Sequence, residues 1–182
     1  MKAFGFLMLV AGAGTVGWYL SEPGGALQTA AATGPAETVV ASARAPAGEV
    51  TVSTRRIGYQ HKVGGMVSGP GGSPIPVEFV IDTGASTVVL PTSMIDPLGI
   101  DRSRLREAQA QTARGMVSIL TGRLDSVEIG GPRNPITAWD VDVAFVEDRH
   151  LGGTVLLGMS FLGRYTVTID DTNATMTLVE RF

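Results

Sequence analysis

From Val50 to the C-terminus, short runs of β-branched and other apolar residues alternate with glycine, proline and asparagine turns. Examples are VTVSTRRI, PIPVEFVID, STVVLP and ITAWDVDVAFVE. Runs of this length, bounded by turn residues, are typical of β-strands. No alternation of strands with amphipathic helices interrupts them. The pattern therefore predicts an all-β domain over residues 50–182, folded as a closed or partly closed barrel.

Local signals refine this prediction. The turns GPGGSP at 69–74 and DDTNA at 170–174 are rich in residues that favour tight reversals, so each predicts a hairpin. Two short helices are also predicted. One covers Thr92–Leu98, with Thr92 as a candidate N-cap, and the other follows a Leu-Leu-Gly sequence over Met159–Gly163.

The composition excludes several kinds of chemistry. The chain contains no cysteine, which rules out disulfides, thiol catalysis and thiolate metal sites. The only imidazoles are His61 and His150, and neither stands in a metal-ligand spacing. We therefore predict no metal and no cofactor. The net charge of -3 does not indicate a nucleic-acid partner.

The N-terminus has the properties of a membrane anchor. Ala3–Leu20 carries no charge and is almost entirely apolar, with Trp18 and Tyr19 at its far end. A helix of this length just spans a thin hydrocarbon core. Residues 1–20 are thus predicted to be a single-pass transmembrane helix with its N-terminus inside, which orients the soluble part away from the cytoplasm. The alternative is a cleavable signal peptide, with Ala11-Gly12-Ala13 as the cleavage box.

Residues 21–49 separate this segment from the β domain. They are rich in alanine, glycine, proline, serine and threonine and show no sustained apolar period. Such a segment cannot bury enough apolar surface to offset the entropy of ordering it. It is predicted to be a flexible linker.

One acid stands at an unusual place in the β domain. In EFVIDTGASTVVLP, Asp82 follows the apolar run Phe79–Ile81 at a predicted strand end, where burial of a carboxylate is costly. VIDTGAST resembles the active-site signature of the aspartic proteases. TVLLGMSFL at 154–162 resembles the second signature of their single-lobe, retroviral-type members. Together the motifs resemble the membrane-anchored bacterial retropepsin-like proteases of clan AA, over most of residues 55–182.

The resemblance implies a retropepsin-like barrel and an aspartic endopeptidase at a bacterial inner membrane, with its catalytic domain in the periplasm. Asp82 would be the catalytic residue. Two carboxyls that share one proton can deprotonate a water molecule and protonate the carbonyl oxygen of a peptide bond. The implied supporting residues are those of the active-site loop (Thr83, Gly84, Ala85 and Ser86) and those of the second signature (Leu156, Leu157 and Gly158).

The chain contains a single Asp-Thr-Gly, so the second carboxylate must come from another copy. The expected functional unit is therefore a two-fold homodimer that acts on a peptide or protein substrate. The C-terminal run from Tyr165 is longer than a retroviral terminal strand, so the dimer sheet can be built differently.

The resemblance also implies a flap, a glycine-bearing hairpin that closes over the substrate. The candidate flap is Gln111–Val117, with its key positions at Thr112, Arg114, Gly115 and Met116. An ordinary hairpin is the alternative for this segment. For the whole protein, the alternatives are a catalytically silent dimeric peptide-binding module of the same fold and an ATPase-type phosphate-binding domain. The sequence shows neither the helices nor the second phosphate loop that such an ATPase domain requires.

The first prediction concerns the anchor. Because Ala3–Leu20 is uncharged and of spanning length, the full-length protein should sediment with membranes and retain its original N-terminus. Membrane fractionation combined with N-terminal sequencing measures both properties. A soluble mature protein that begins near Gly14 would contradict the prediction.

Overall fold

The structure is a computed structural model that describes residues 48–112, 115–131 and 135–181. The predicted anchor and most of the predicted linker lie outside these ranges, as does Arg114 of the candidate flap. No helix within the described ranges is long and apolar enough to cross a membrane.

Strands dominate the described part of the chain, as the sequence predicts. They are β1 (Glu49–Ser53), β2 (Arg55–Ile57), β3 (Gln60–Ser68), β4 (Ile75–Ile81), β5 (Val88–Pro91), β6 (Arg106–Thr112), β7 (Gly115–Ile129), β8 (Ile136–Val146), β9 (Val155–Leu157), β10 (Tyr165–Asp170) and β11 (Thr175–Glu180). Two α-helices of one turn each, α1 (Asp148–Leu151) and α2 (Met159–Leu162), flank β9. Both predicted hairpins are confirmed, because 69–74 joins antiparallel β3 and β4 and 170–174 lies between antiparallel β10 and β11.

Six strands close into a ring in the order β3-β4-β9-β5-β8-β7, and β7 pairs back onto β3. The strand β2 pairs with the start of β3, and β6 pairs with the first half of β7. The predicted closed barrel is therefore confirmed. Its interior is filled by a main core, whose largest fully buried side chains include Phe79, Phe145, Phe161, Leu90, Leu124 and Ile129.

A separate three-stranded sheet has the order β1-β11-β10. VTVSTRRI thus forms two strands in two sheets, with the break at Thr54, whose N–H donates to the carbonyl of Ala174 at 2.8 Å. The central strand β11 is paired on both sides within one chain. The N-terminal and C-terminal strands of the domain consequently hold each other.

The predicted helix at Thr92–Leu98 is wrong in extent. A 3-10 turn covers only Thr92–Met94, and tight turns follow it. Pro97 explains the early end, because proline lacks an N–H and disfavours the helical conformation in the residue before it. Thr92 is not the N-cap either. Pro91 occupies that position, and the Thr92 hydroxyl donates to the Asp148 carboxylate instead.

The strand β9 crosses the barrel between β4 and β5, parallel to the first and antiparallel to the second. At its end, Gly158 lies so close to the chain that a Cβ atom there would be 2.0 Å from the carbonyl oxygen of Thr87 and 2.8 Å from that of Ala85. Both contacts are with backbone, which cannot rotate away. Glycine is therefore required at this crossing by space alone.

The second prediction tests this crossing. Gly158→Ala should lower the free energy of unfolding by about 1–3 kcal/mol or more, because the added methyl group displaces backbone in a packed region. The matched control is Gly64→Ala, since no atom lies within 4 Å of a Cβ at that position. The control should change stability by less than about 0.5 kcal/mol. Denaturant unfolding of both variants gives the two values, and equal stabilities would contradict the prediction.

Candidate active site

Asp82 lies directly after β4, where the chain leaves the barrel wall. Its N–H donates to the carbonyl of Leu157 at 3.1 Å, which continues the parallel pairing of Ile81 with Leu157. The loop then turns back on itself. The N–H of Gly84 donates to Oδ1 of Asp82 at 2.9 Å, and the N–H of Ala85 approaches the Asp82 carbonyl at 3.3 Å. The half-buried carboxylate is therefore oriented by the backbone of its own loop.

The two sequence signatures meet in space. The N–H of Met159 donates to the carbonyl of Ala85 at 2.8 Å, so the start of α2 is bonded to the Asp82 loop. Leu156 and Leu157 form the strand beside Asp82, and Gly158 packs against the backbone of residues 85 and 87. The remaining loop residues differ in exposure: Ala85 is buried, Gly84 and Ser86 are half-buried, and Thr83 is exposed.

Ser160 joins three elements at this site. Its hydroxyl accepts from the N–H of Val88 at 2.9 Å and donates to the carbonyl of Asp142 at 2.7 Å. It therefore holds α2 to the first residue of β5 and to β8. Sequence reasoning missed this role, although a hydroxyl residue two positions after Leu-Leu-Gly was visible. A single serine at a helix start gives no indication of which distant backbone it binds.

A second cluster of buried apolar side chains, separate from the main core, lies beside the Asp82 loop. Val80 belongs to it, and Asp82 lies two positions later, directly after the end of β4. We call it the small cluster. Its buried members are Val80, Ala85, Val89, Ala110, Ile119, Ala144, Val146, Leu151 and Leu156. It connects the Asp82 loop, the β6–β7 hairpin and α1.

The candidate flap forms the tip of the β6–β7 hairpin. Thr112 pairs with Gly115, and the Thr112 hydroxyl donates to the Gly115 carbonyl at 2.8 Å. Gly115 has a φ of 112°, a conformation that favours glycine. Met116 is 57% exposed. Ala110 and Ile119 belong to the small cluster, which places the hairpin next to the Asp82 loop.

Asp148 fixes α1 to the end of β5. Its carboxylate accepts from the Ser93 hydroxyl, from the Ser93 N–H at 3.2 Å and from the Thr92 hydroxyl at 3.1 Å. The Ser93 hydroxyl, followed by its N–H, lowers the pKa of Asp148 below the ordinary value of an aspartate. These bonds hold the buried Leu151 of α1 in the small cluster. The sequence did not predict α1 or this contact.

A cavity of about 500 Å³ lies at the base of the β6–β7 hairpin. Its lining includes Glu107, Gln109, Ser118 and Leu120, together with Ala108 and Ile119, which also pack in the small cluster. Asp82 does not line this cavity. We therefore do not place the chemistry there. Within the described ranges, no group of three or more histidine or acidic side chains could hold a metal ion.

Comparisons with known proteins agree with this geometry. The family of gag-polyprotein putative aspartyl proteases matches residues 72–164, which contain both signatures. A retropepsin-like aspartic protease from Rickettsia conorii has a similar crystal structure, with a TM-score of 0.52 and 25% sequence identity; the match covers 72% of this chain and 89% of that one. No curated protein matches the chain. The fold is retropepsin-like, and the chain belongs to the family of gag-polyprotein putative aspartyl proteases.

Proposed function

We propose that the protein is an aspartic endopeptidase in which Asp82 carries the chemistry. The observation that supports this most directly is the position of Asp82. It follows a strand in the barrel wall, its carboxylate accepts the Gly84 N–H, and its own N–H is bonded to the second signature. A solvated turn acid would need neither the crossing of β9 nor the close approach at Gly158.

In the proposed reaction, the ionised carboxyl of a pair accepts a proton from a water molecule while the neutral carboxyl donates its proton to the carbonyl oxygen of the substrate. The water oxygen bonds to the carbonyl carbon and gives a tetrahedral intermediate. Collapse of this intermediate breaks the carbon–nitrogen bond. The carboxyl that took the proton of the water molecule gives it to the leaving nitrogen, and the other, now ionised, carboxyl takes back a proton from one hydroxyl of the intermediate. Like charges in close contact resist double ionisation, so the pair shares one proton at the working pH.

The second carboxyl would come from the Asp82 of another subunit, because the chain contains one Asp-Thr-Gly. Retropepsin-like proteases act as homodimers on peptide substrates, and family membership supports the same for this chain. Thr83 is exposed in the single chain and is thus available to the loop of a partner. Since β11 is already paired with β1 and β10, a dimer that interleaves terminal strands would first have to separate β1 from β11.

The substrate would lie between the two Asp82 loops and the candidate flaps. The closeness of the β6–β7 hairpin to the Asp82 loop through the small cluster supports a flap role for Thr112–Met116. We further propose that residues 1–20 anchor the protein in a bacterial inner membrane and that the protease domain works in the periplasm. Both rest on the uncharged N-terminal run and on the resemblance of the motifs.

The third prediction tests the acid. Asp82→Asn should preserve the fold and reduce peptide cleavage to background, because an amide cannot accept the proton of the water molecule. The matched control is Asp125→Asn, which changes an exposed acid of β7. The activity is measured as the cleavage of denatured casein, with the released peptides detected by mass spectrometry.

The wild-type rate should also show a bell-shaped profile on the acid side, with one limb for each proton of the pair. Equal rates for Asp82→Asn and wild type would show that another residue carries the chemistry. If the wild-type protein binds peptides without cleaving them, it is instead the catalytically silent peptide-binding module.

The fourth prediction tests the shared site. When Asp82→Asn subunits are mixed with wild-type subunits under conditions of exchange, mixed dimers hold a single ionisable carboxyl and should be inactive. Activity should therefore fall with the square of the wild-type fraction, and not in proportion to it. Fluorescence transfer between labelled subunits confirms exchange. A proportional fall, or full activity from a proven monomer, would refute the shared site.

A further inference from the structure

The tip of the β2–β3 hairpin exposes apolar side chains. Gly58 and Tyr59 form the turn between Ile57 and Gln60, which pair directly. The Tyr59 side chain is 96% exposed and Ile57 is 45% exposed. Tyrosine at an exposed tip offers a large, rigid contact surface and is enriched where proteins bind peptides and other proteins.

The strand register places this tip at the same end of the barrel as Asp82. Lys62 pairs with Val80. This is the last pair between β3 and β4. Extended by two residues beyond it, the same register would set Gln60 opposite Asp82, and Gln60 pairs with Ile57 of β2. Directly opposite residues share one face of a sheet, so Ile57 and Gln60 lie on the face that carries Asp82.

The spacing of strands converts this register into a distance. Neighbouring strands are about 4.8 Å apart, so Ile57 lies about 10 Å across the sheet from Asp82. An extended peptide advances about 3.4 Å per residue. A peptide whose scissile bond is at Asp82 would therefore reach the hairpin tip at about its third or fourth residue from that bond.

Polar contacts hold the hairpin in place from both faces. On the Asp82 face, Arg55 of β2 and Lys62 of β3 both form ion pairs with Glu78 of β4, the latter at 3.1 Å. Glu78 accordingly has a lowered pKa, first through Arg55 and then through Lys62. The tip is thus positioned before any ligand arrives, which reduces the entropy cost of binding.

The opposite face is held to the β10–β11 turn. Arg56 pairs with Asp171 and donates through Nε to the Gly58 carbonyl at 2.9 Å, and His61 lies 3.3 Å from Asp171. These contacts fix the backbone on both sides of the turn while leaving Tyr59 exposed.

We propose that Tyr59, together with Ile57, contacts the peptide substrate at the third and fourth residues from the cleaved bond and selects apolar side chains there. This inference rests on the proposed endopeptidase function. In a two-fold dimer the two hairpins lie on opposite sides of the cleaved bond, so the preference applies on both sides of it.

The fifth prediction tests this contact with the full-length protein. A bond cleaved in denatured casein is first identified, and ten-residue peptides are made around it with either leucine or serine at the third and fourth residues on both sides. Wild type should prefer the leucine peptide in kcat/KM by about five- to tenfold, the effect of partly burying one apolar side chain. Tyr59→Ala should reduce this preference to below about twofold and cleave the serine peptide as wild type does.

Two controls define the effect. Tyr59→Phe keeps the ring and should keep the preference. Ser73 lies in the exposed turn at the opposite end of β3 and β4, so Ser73→Ala should also keep the leucine preference. An undiminished preference in Tyr59→Ala would overturn the inference. Weaker dimerisation of Tyr59→Ala in sedimentation, with equal loss for both peptides, would mean that the tip contacts the partner subunit and would also overturn it.

A binding measurement distinguishes failure of this inference from failure of the proposed function. Fluorescence anisotropy with labelled peptides measures the same leucine preference in Asp82→Asn protein, where no cleavage occurs. If wild type cleaves no bond in casein, the leucine and serine peptides are built on one arbitrary ten-residue sequence. A binding preference between these peptides that depends on Tyr59 would then support the contact and refute the endopeptidase. If wild type neither binds nor cleaves these peptides, both the contact of Tyr59 and the endopeptidase function are refuted.

Discussion

The crossing of β9 between β4 and β5 is the contact on which the site depends. Through it, the Asp82 N–H reaches the carbonyl of Leu157, and the Met159 N–H reaches the carbonyl of Ala85. These backbone bonds leave no room for a side chain at residue 158. An acid at a strand end is thereby placed in a rigid frame, with its carboxylate oriented by the Gly84 N–H. A buried position is costly for a single ionised carboxylate, but it suits a carboxyl that shares one proton with a second carboxyl, as in the proposed pair.

Side-chain hydrogen bonds then attach the surrounding elements to this crossing. Ser160 connects α2 with β5 and β8, and Asp148 connects α1 with the end of β5. Each bond joins residues of different elements, which are 72, 18 and 55 positions apart along the chain. Between these polar contacts lies the small cluster, which brings the β6–β7 hairpin to the Asp82 loop. In the proposed dimer, each chain would supply one half of the cleft. Within the described residues, the first strand β1 pairs with the last strand β11 in a three-stranded sheet.

Two hairpins consequently lie near the Asp82 end of the barrel, and they differ in how they are held. The β6–β7 hairpin is attached through apolar contacts of Ala110 and Ile119, whereas the β2–β3 hairpin is fixed by ion pairs to Glu78 and Asp171. Apolar contacts have no fixed direction and so permit sliding, which the proposed flap would require. Ion pairs on two faces favour one position, which suits a residue that selects among substrates.

The sequence by itself determined most of the strands, both turns at 69–74 and 170–174 and the short helix after Leu-Leu-Gly, because apolar alternation and turn chemistry are local. The Asp82 loop was predicted from its resemblance to the aspartic-protease signature, and β9 was not predicted as a strand. Only the tertiary structure decided that VTVSTRRI divides between two sheets at Thr54, that Thr92 bonds to Asp148 and not to its own helix, and that Ser160 binds two strands. It also decided that Tyr59 lies at the Asp82 end of the barrel. These features follow from pairings between distant segments, whose register is set by packing across the whole barrel and has no local signature.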